Sequence, residues 1–244
     1  MADKADHMLI SPVGYIHTDF PEKFGIPRQS ALVKELTGVI TFEEPFKNAA
    51  AIRGIEEYSH LWLLWGFSEN KWDGKTLTVH PPRLGGKEKK GVFATRSPFR
   101  PNGIGLSVVR LEQVITDNGG VSSLLVSGID MMDGTPIYDI KPYMPYSDSL
   151  PDADGGFGQG RKDLKAEVIF PDELLSRLPE EKREAAVHIL EQDPRAAYNK
   201  KDGYVYGLSF AGYDIRFTAE EPEGCTRIEV CDVIKIDEGF KNVK

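Results

Sequence analysis

The chain has 244 residues, 40% of them hydrophobic and 28% charged, which suits one large domain or two smaller ones with a sizeable core. No run approaches ~18 consecutive apolar residues, so no membrane-spanning helix is expected. The opening "MADKADHMLISPVGYI" lacks an apolar signal core, which points to a cytoplasmic protein. A net charge of −8 does not mark a nucleic-acid binder by its overall balance.

In chain order, "VGYIHTDF" reads as a strand and "PEKFGIPRQSALVKE" as a loop punctuated by Pro and Gly. "TGVITFEEPF" alternates as a strand does, and "FKNAAAIRGIEEYS" suits one or two helical turns. The apolar run "HLWLLWGF" between Ser59 and Ser68 reads as a buried central strand, with Trp62 and Trp65 in the core and His60 structural. "KTLTVHPPRLGG" is a strand entering a loop, and "GVFATR", "GLSVVRLEQVI" and "SSLLVSGID" are three more strands. Short strands almost without helix up to about Tyr146 argue for a mainly β, barrel-like domain over residues 8–150.

Residues 146–161 are rich in Gly, Pro, Ser and Asp and read as a linker. "DELLSRL" and "EEKREAAVHILEQ" then carry helical spacing, "YVYGLSFAGYDIRFT" is a hairpin around Ala211 and Gly212, and "RIEVCDVIKI" is a last strand. A small α+β domain over residues 160–238 follows from these. Cys225 and Cys231, six apart on one strand, are too distant to bond and read as buried small hydrophobes in a reducing compartment.

Familiar catalytic patterns are absent. Gly103 and Gly105 lack the third glycine of a dinucleotide fingerprint, and neither a P-loop nor a nucleophile elbow is present. The five histidines and two cysteines show no metal-ligand spacing, so no metal is expected. Three loop clusters remain: "GIPRQ" at 25–29, "GVFATRSPFRPNGIGLS" at 91–107, and "GIDMMDGTPIYDIKPYMPYSDS" at 128–149. Between Arg83 and Arg100 six basic side chains face one acid, Glu88, which is the local patch a polyanion site needs. The third cluster reads as a loop stiffened by prolines and rich in acid, base and phenol. Residues alone thus support a β-barrel enzyme or binding module with an Arg/Asp/Tyr loop site.

The blocks "EKFGIPRQ", "RGIEEYSHLW", "PPRLGG", "GVFATRSPFRPNGIGLS" and "DGTPIYDIKPYMPYSDSLPDA" resemble the TsaA-like family, the TrmO-type tRNA (N6-threonylcarbamoyladenosine) N6-methyltransferases. "EQDPRAAYNKKDGYVYGLSFAGYDIRF" is similar to the small C-terminal domain of bacterial members, so the likeness covers nearly the whole chain. The resemblance implies a β-barrel methyltransferase that binds S-adenosyl-L-methionine without a Rossmann fold, acts on tRNA and forms a homodimer. It places the cofactor on Pro27, Arg28, Gln29, Ser68, Glu69, Arg96, Leu106, Asp133, Gly134, Thr135 and Pro136. The glycines around Leu106 are expected to let backbone approach the ligand.

Methylating a carbonyl-substituted amine requires its proton to leave, and Asp139 or Tyr143 is the expected acceptor. Arg100 or Lys141 is expected to pair with the threonine carboxylate of the modified base, and Lys87, Lys89 and Lys90 to hold tRNA phosphates. Two other functions fit the same residues: a module that binds S-adenosyl-L-methionine without turnover, and a methyltransferase for another RNA or a small molecule.

Overall fold

The computed structural model describes residues 8–81, 88–117, 120–161, 165–195, 201, 203–222 and 225–236. Among the described residues the N-terminal part holds eight strands. They are β1 (Gly14–Thr18), β2 (Thr37–Phe42), β3 (His60–Gly66), β4 (Thr78–Val79), β5 (Lys90–Gly91), β6 (Ile104–Asp117), β7 (Gly120–Ser127) and β8 (Thr135–Pro142). Six close into an antiparallel barrel in the order β1-β2-β7-β6-β3-β8, while β4 and β5 pair as a separate ribbon. Period-two alternation drives the closure. Ile16, Ile40, Leu61, Leu63, Leu124 and Ile137 point inward and are fully buried, and each contributes about 1.5–3 kcal/mol of apolar burial.

The continuous apolar run is indeed a central strand: β3 lies between β6 and β8, with Leu61, Leu63 and Trp65 inward and Trp62 half-buried on the outer face. The stretch 135–142, expected as a rigid loop, is instead β8, the strand that closes the barrel between β1 and β3. Its prolines, Pro136 and Pro142, stand near the strand ends, where a missing N–H costs the ladder least. Conversely "GVFATR" is not a strand. After the two residues of β5 it turns through a 3-10 helix over Val92–Ala94, because only Val92 has core to enter. The helical turns expected before β3 are two 3-10 turns, Ala49–Ile52 and Ile55–Glu57.

After the short helix α1 (Pro145–Asp148) the chain enters a second sheet, ordered β10-β11-β12-β9. Its strands are β9 (Glu167–Ile169), β10 (Tyr206–Phe210), β11 (Tyr213–Glu220) and β12 (Arg227–Lys235), with helices α2 (Asp172–Leu175) and α3 (Glu180–Glu191) between β9 and β10. Strand β9 runs parallel to β12 and, at three residues, is too short for alternation to reveal it. Helix α3 buries Ala185, Ala186, Ile189 and Leu190. Both cysteines are free but exposed, not buried, because they fall on the outer positions of an edge turn and of β12. Among the described residues no helix is long and apolar enough to cross a membrane.

The second sheet packs against the segment between β1 and β2. Phe20 meets Phe210 with ring centroids 5.3 Å apart, and Phe24 stacks on Phe217 at 6.5 Å. Gly25 lies so close to Leu208 that a Cβ would come 2.0 Å from Leu208 Cδ1, and its φ of +96° suits glycine alone. Polar ties surround this contact: Lys182 with Asp19 at 2.6 Å, Ser209 with Glu22 at 2.7 Å, and His188 with Glu35 at 2.9 Å. The loop that carries "PRQ" is therefore ordered from outside by the C-terminal sheet and α3.

Candidate active site

A cavity of about 420 Å³ opens where this loop meets β3, β6 and the start of β8, a volume within the ~300–1,000 Å³ usual for small-molecule sites. Its apolar wall comes from Ile26, Trp62, Trp65, Phe67, Leu106 and Met131. Its charged groups are Lys23, Arg28, Glu69, Arg96, Arg100 and Asp130. Trp65 and Phe67 meet edge to face, centroids 4.4 Å apart. Gly105 lines the cavity and also makes room for the indole: a Cβ there would sit 2.3 Å from Trp65 Cε2.

Loops converge on the cavity through specific bonds. Lys23 Nζ donates to the Glu69 carbonyl at 3.0 Å, joining the loop after β1 to the end of β3. Arg96 donates to Gln29 Oε1 across the cavity. Arg28 donates to the carbonyls of Asp193 and Arg195, both at 3.4 Å, so a cavity arginine is braced by the C-terminal sheet's own connection. That connection is pinned by Arg195, a buried guanidinium held by Asp193 at 2.7 Å and by Glu221 at 3.4 Å. Arg100 donates to the Thr95 carbonyl at 3.2 Å, shaping its own loop.

One acid is set apart. Burial pushes the Asp130 carboxyl up to about 6, although hydrogen bonds from Ser107 and the Ser30 amide and the charge of Arg96 pull it down. Ser107 Oγ donates to Asp130 Oδ1 at 2.6 Å and accepts from Trp65 Nε1 at 3.0 Å.

Residues 15–149 match the family model of the tRNA-methyltransferase O N-terminal domain, and residues 163–236 match that of the TrmO C-terminal domain. This chain belongs to the tRNA-methyltransferase O family. It is 41% identical to the tRNA (adenine(37)-N6)-methyltransferase of Escherichia coli over 213 residues, covering 84% of this chain and 90% of that one. It is also 41% identical over 232 residues to a putative S-adenosylmethionine-dependent methyltransferase, RcsF, of Pseudomonas aeruginosa, covering 92% and 96%. The crystal structure of TrmO from P. aeruginosa superposes with a TM-score of 0.76 at 34% identity, covering 96% of this chain and 99% of that one. The mainly β, barrel-based fold expected of a TrmO-type chain is thus the one present.

Of the positions assigned to the cofactor by resemblance, Pro27, Arg28, Gln29, Ser68, Glu69, Arg96, Leu106 and Thr135 line the cavity. Asp133, Gly134 and Pro136 do not. Asp133 accepts from the Thr18 amide at 3.1 Å and lies 3.3 Å from His17 Nδ1, and the Gly134 amide donates to the Ile16 carbonyl, so this turn ties the start of β8 to β1. Arg100 lines the cavity. Asp139 and Lys141 pair with each other at 2.9 Å on β8, beside Leu64 and Trp62 of β3. Tyr143 packs against Trp62 at 5.7 Å and His60 at 6.3 Å. Lys89 is exposed, Lys90 pairs with Glu88 at 3.2 Å, and Lys87 lies outside the described residues.

Sequence reasoning missed Asp130 and Lys23 in the cavity wall and Ser107 behind Asp130, and it read Trp62 and Trp65 as core when both also wall the cavity.

Proposed function

We propose that the chain is an S-adenosyl-L-methionine-dependent tRNA methyltransferase that methylates N6 of threonylcarbamoyladenosine beside the anticodon. The observation that carries this reading is one cavity holding "PRQ", Ser68, Glu69, Arg96 and Leu106, in a chain aligned to 90% of a tRNA (adenine(37)-N6)-methyltransferase. The lining fits the cofactor. Ile26, Leu106 and Met131 form an apolar slot suited to adenine, Gln29 offers a polar edge to a ribose, and Arg28 and Arg96 suit the amino-acid carboxylate.

When bound, S-adenosyl-L-methionine supplies a methyl on its sulfonium sulfur, and the N6–C bond forms as the S–C bond breaks. No covalent enzyme intermediate is needed, so the absence of a nucleophile motif is consistent, and positioning supplies much of the rate. The N6 proton leaves to Asp139 or Tyr143, which flank Trp62 from β8 and the turn beyond it. Arg100, in the cavity wall, is better placed than the paired Lys141 to meet the threonine carboxylate. Exposed Phe93 and Phe99 beside Lys89, Lys90, Arg96 and Arg100 suit stacking and phosphate contacts with an RNA. Exposed Ile104 at the cavity edge supports a homodimer in which a second copy covers it, and a tRNA substrate supports a cytoplasmic location.

Labelled S-adenosyl-L-methionine, given two tRNA pools with and without threonylcarbamoyladenosine, tests the reaction. Label is expected in the modified pool only. Equal labelling of both pools contradicts carboxylate recognition, and no transfer despite bound cofactor leaves a binder or an enzyme for another substrate. The solution mass of the same preparation decides the dimer, a monomer mass refuting it.

A further inference from the structure

We propose that Asp130 is the counter-charge for the sulfonium of the methyl donor, holding it in a corner completed by the Trp65 indole. The inference rests on the reading that the cavity takes S-adenosyl-L-methionine. Its ground is the polarity of one hydrogen-bonded chain. An indole N–H can only donate, so the Ser107 hydroxyl, having accepted from Trp65 Nε1 at 3.0 Å, turns its own hydrogen to Asp130 Oδ1 at 2.6 Å. Ser107 is 1% exposed, so water does not share this arrangement. Both donors in the chain therefore run toward the carboxylate, an arrangement that favours its ionised form.

Burial works against that ionised form and holds the carboxyl near 6 in the protein alone. Arg96 supplies nearby positive charge, yet burial still outweighs it at Asp130. A cationic ligand supplies what is missing. A sulfonium has no N–H to offer, so it is recognised by charge and by an electron-rich ring face, not by hydrogen bonds. The cavity joins both features through one serine: the carboxylate of Asp130 and the ring of Trp65, with Phe67 against it. Glu69, the other carboxylate of the cavity, is exposed and lacks that setting. Once the methyl has left, the remaining thioether is neutral and the attraction to Asp130 disappears, which favours product release.

The charged groups around Asp130 come from every neighbouring segment: Lys23 and Arg28 on the loop after β1, Glu69 after β3, Arg96 and Arg100 before β6, and Asp133 on its own segment. Protonation of Asp130 as pH falls through about 6 thus removes the counter-charge and weakens binding of a sulfonium.

The test compares S-adenosyl-L-methionine with its neutral thioether, S-adenosylhomocysteine, by calorimetry on the full chain. Asp130→Asn keeps an acceptor for Ser107 and removes the charge. It is expected to lose at least tenfold in affinity for the sulfonium and no more than twofold for the thioether at pH 8. The wild type is expected to lose sulfonium affinity between pH 7 and pH 5 while thioether affinity stays flat. Equal losses for both ligands assign Asp130 a structural role and overturn the inference, as does an unchanged variant or a wild-type sulfonium profile that stays flat. A wild type that binds neither ligand overturns the methyl-donor reading itself, a distinguishable result.

Discussion

Asp139 and Tyr143 do not line the cavity, but Tyr143 packs against Trp62, which does and whose indole is anchored by donation to Asp148 at 2.9 Å. Asp139 pairs with Lys141 at 2.9 Å, an exposed contact worth little to stability, so its loss should leave the fold intact. Asp139→Asn and Tyr143→Phe are expected to divide the proton-accepting role. At least one should lower turnover tenfold or more with cofactor affinity unchanged. Single-turnover rates above a tenth of the wild type in both variants would send the proton elsewhere. At this scale the sequence exposes residues whose chemistry is unusual for a loop, such as Arg28, Arg96 and Arg100. It conceals residues whose chemistry comes from what surrounds them. Asp130 looks like any other acid until burial and Ser107 are seen around it.

The element that governs the site is the segment between β1 and β2. It has no regular structure of its own, yet Phe20, Val33 and Leu36 are buried within it. It is held from both sides: the barrel bonds it through Lys23, Ser30 and Ala31, and the C-terminal sheet seats Phe210 on Phe20 and Leu208 on Gly25. The C-terminal sheet therefore helps to shape one wall of the cavity. Gly25→Ala tests this. Its Cβ would fall 2.0 Å from Leu208 Cδ1 at a φ of +96°, a strain of about 1–3 kcal/mol. Melting is expected to drop by roughly 2–10 °C, and S-adenosyl-L-methionine affinity to weaken at least fivefold. Ile228→Val, buried in the same sheet away from the loop, should lower the melting temperature without the affinity loss. Equal cofactor affinity in both variants would show the loop to be set by the barrel alone. The strand β8 teaches a related lesson. Two prolines in eight residues read as a stiff loop, because a sequence does not show that barrel neighbours will claim the remaining amides.

Across the whole molecule, charge is distributed against its sum. A net −8 coexists with basic residues concentrated between 83 and 100, two of which, Arg96 and Arg100, reach the cavity itself. Such a distribution admits a polyanion at one place while the rest of the surface repels it. Replacing Lys87, Lys89 and Lys90 by Ala is expected to lower the salt slope of tRNA binding by about 2, less than three full contacts because Lys90 already pairs with Glu88. Cofactor affinity should not move, and an unchanged slope would remove these lysines from the RNA path. The barrel class was legible from a succession of short strands almost without helix, and period-two burial is clearest in β2 and β3. The family was legible from its long loop blocks, where residue types serve chemistry and not packing. Neither pattern carries information about distance between segments far apart in the chain. Only the tertiary structure could bring Asp130 to Ser107 and Trp65, set Leu208 against Gly25, and turn three loops into one cavity, because those contacts depend on how strands close and sheets dock.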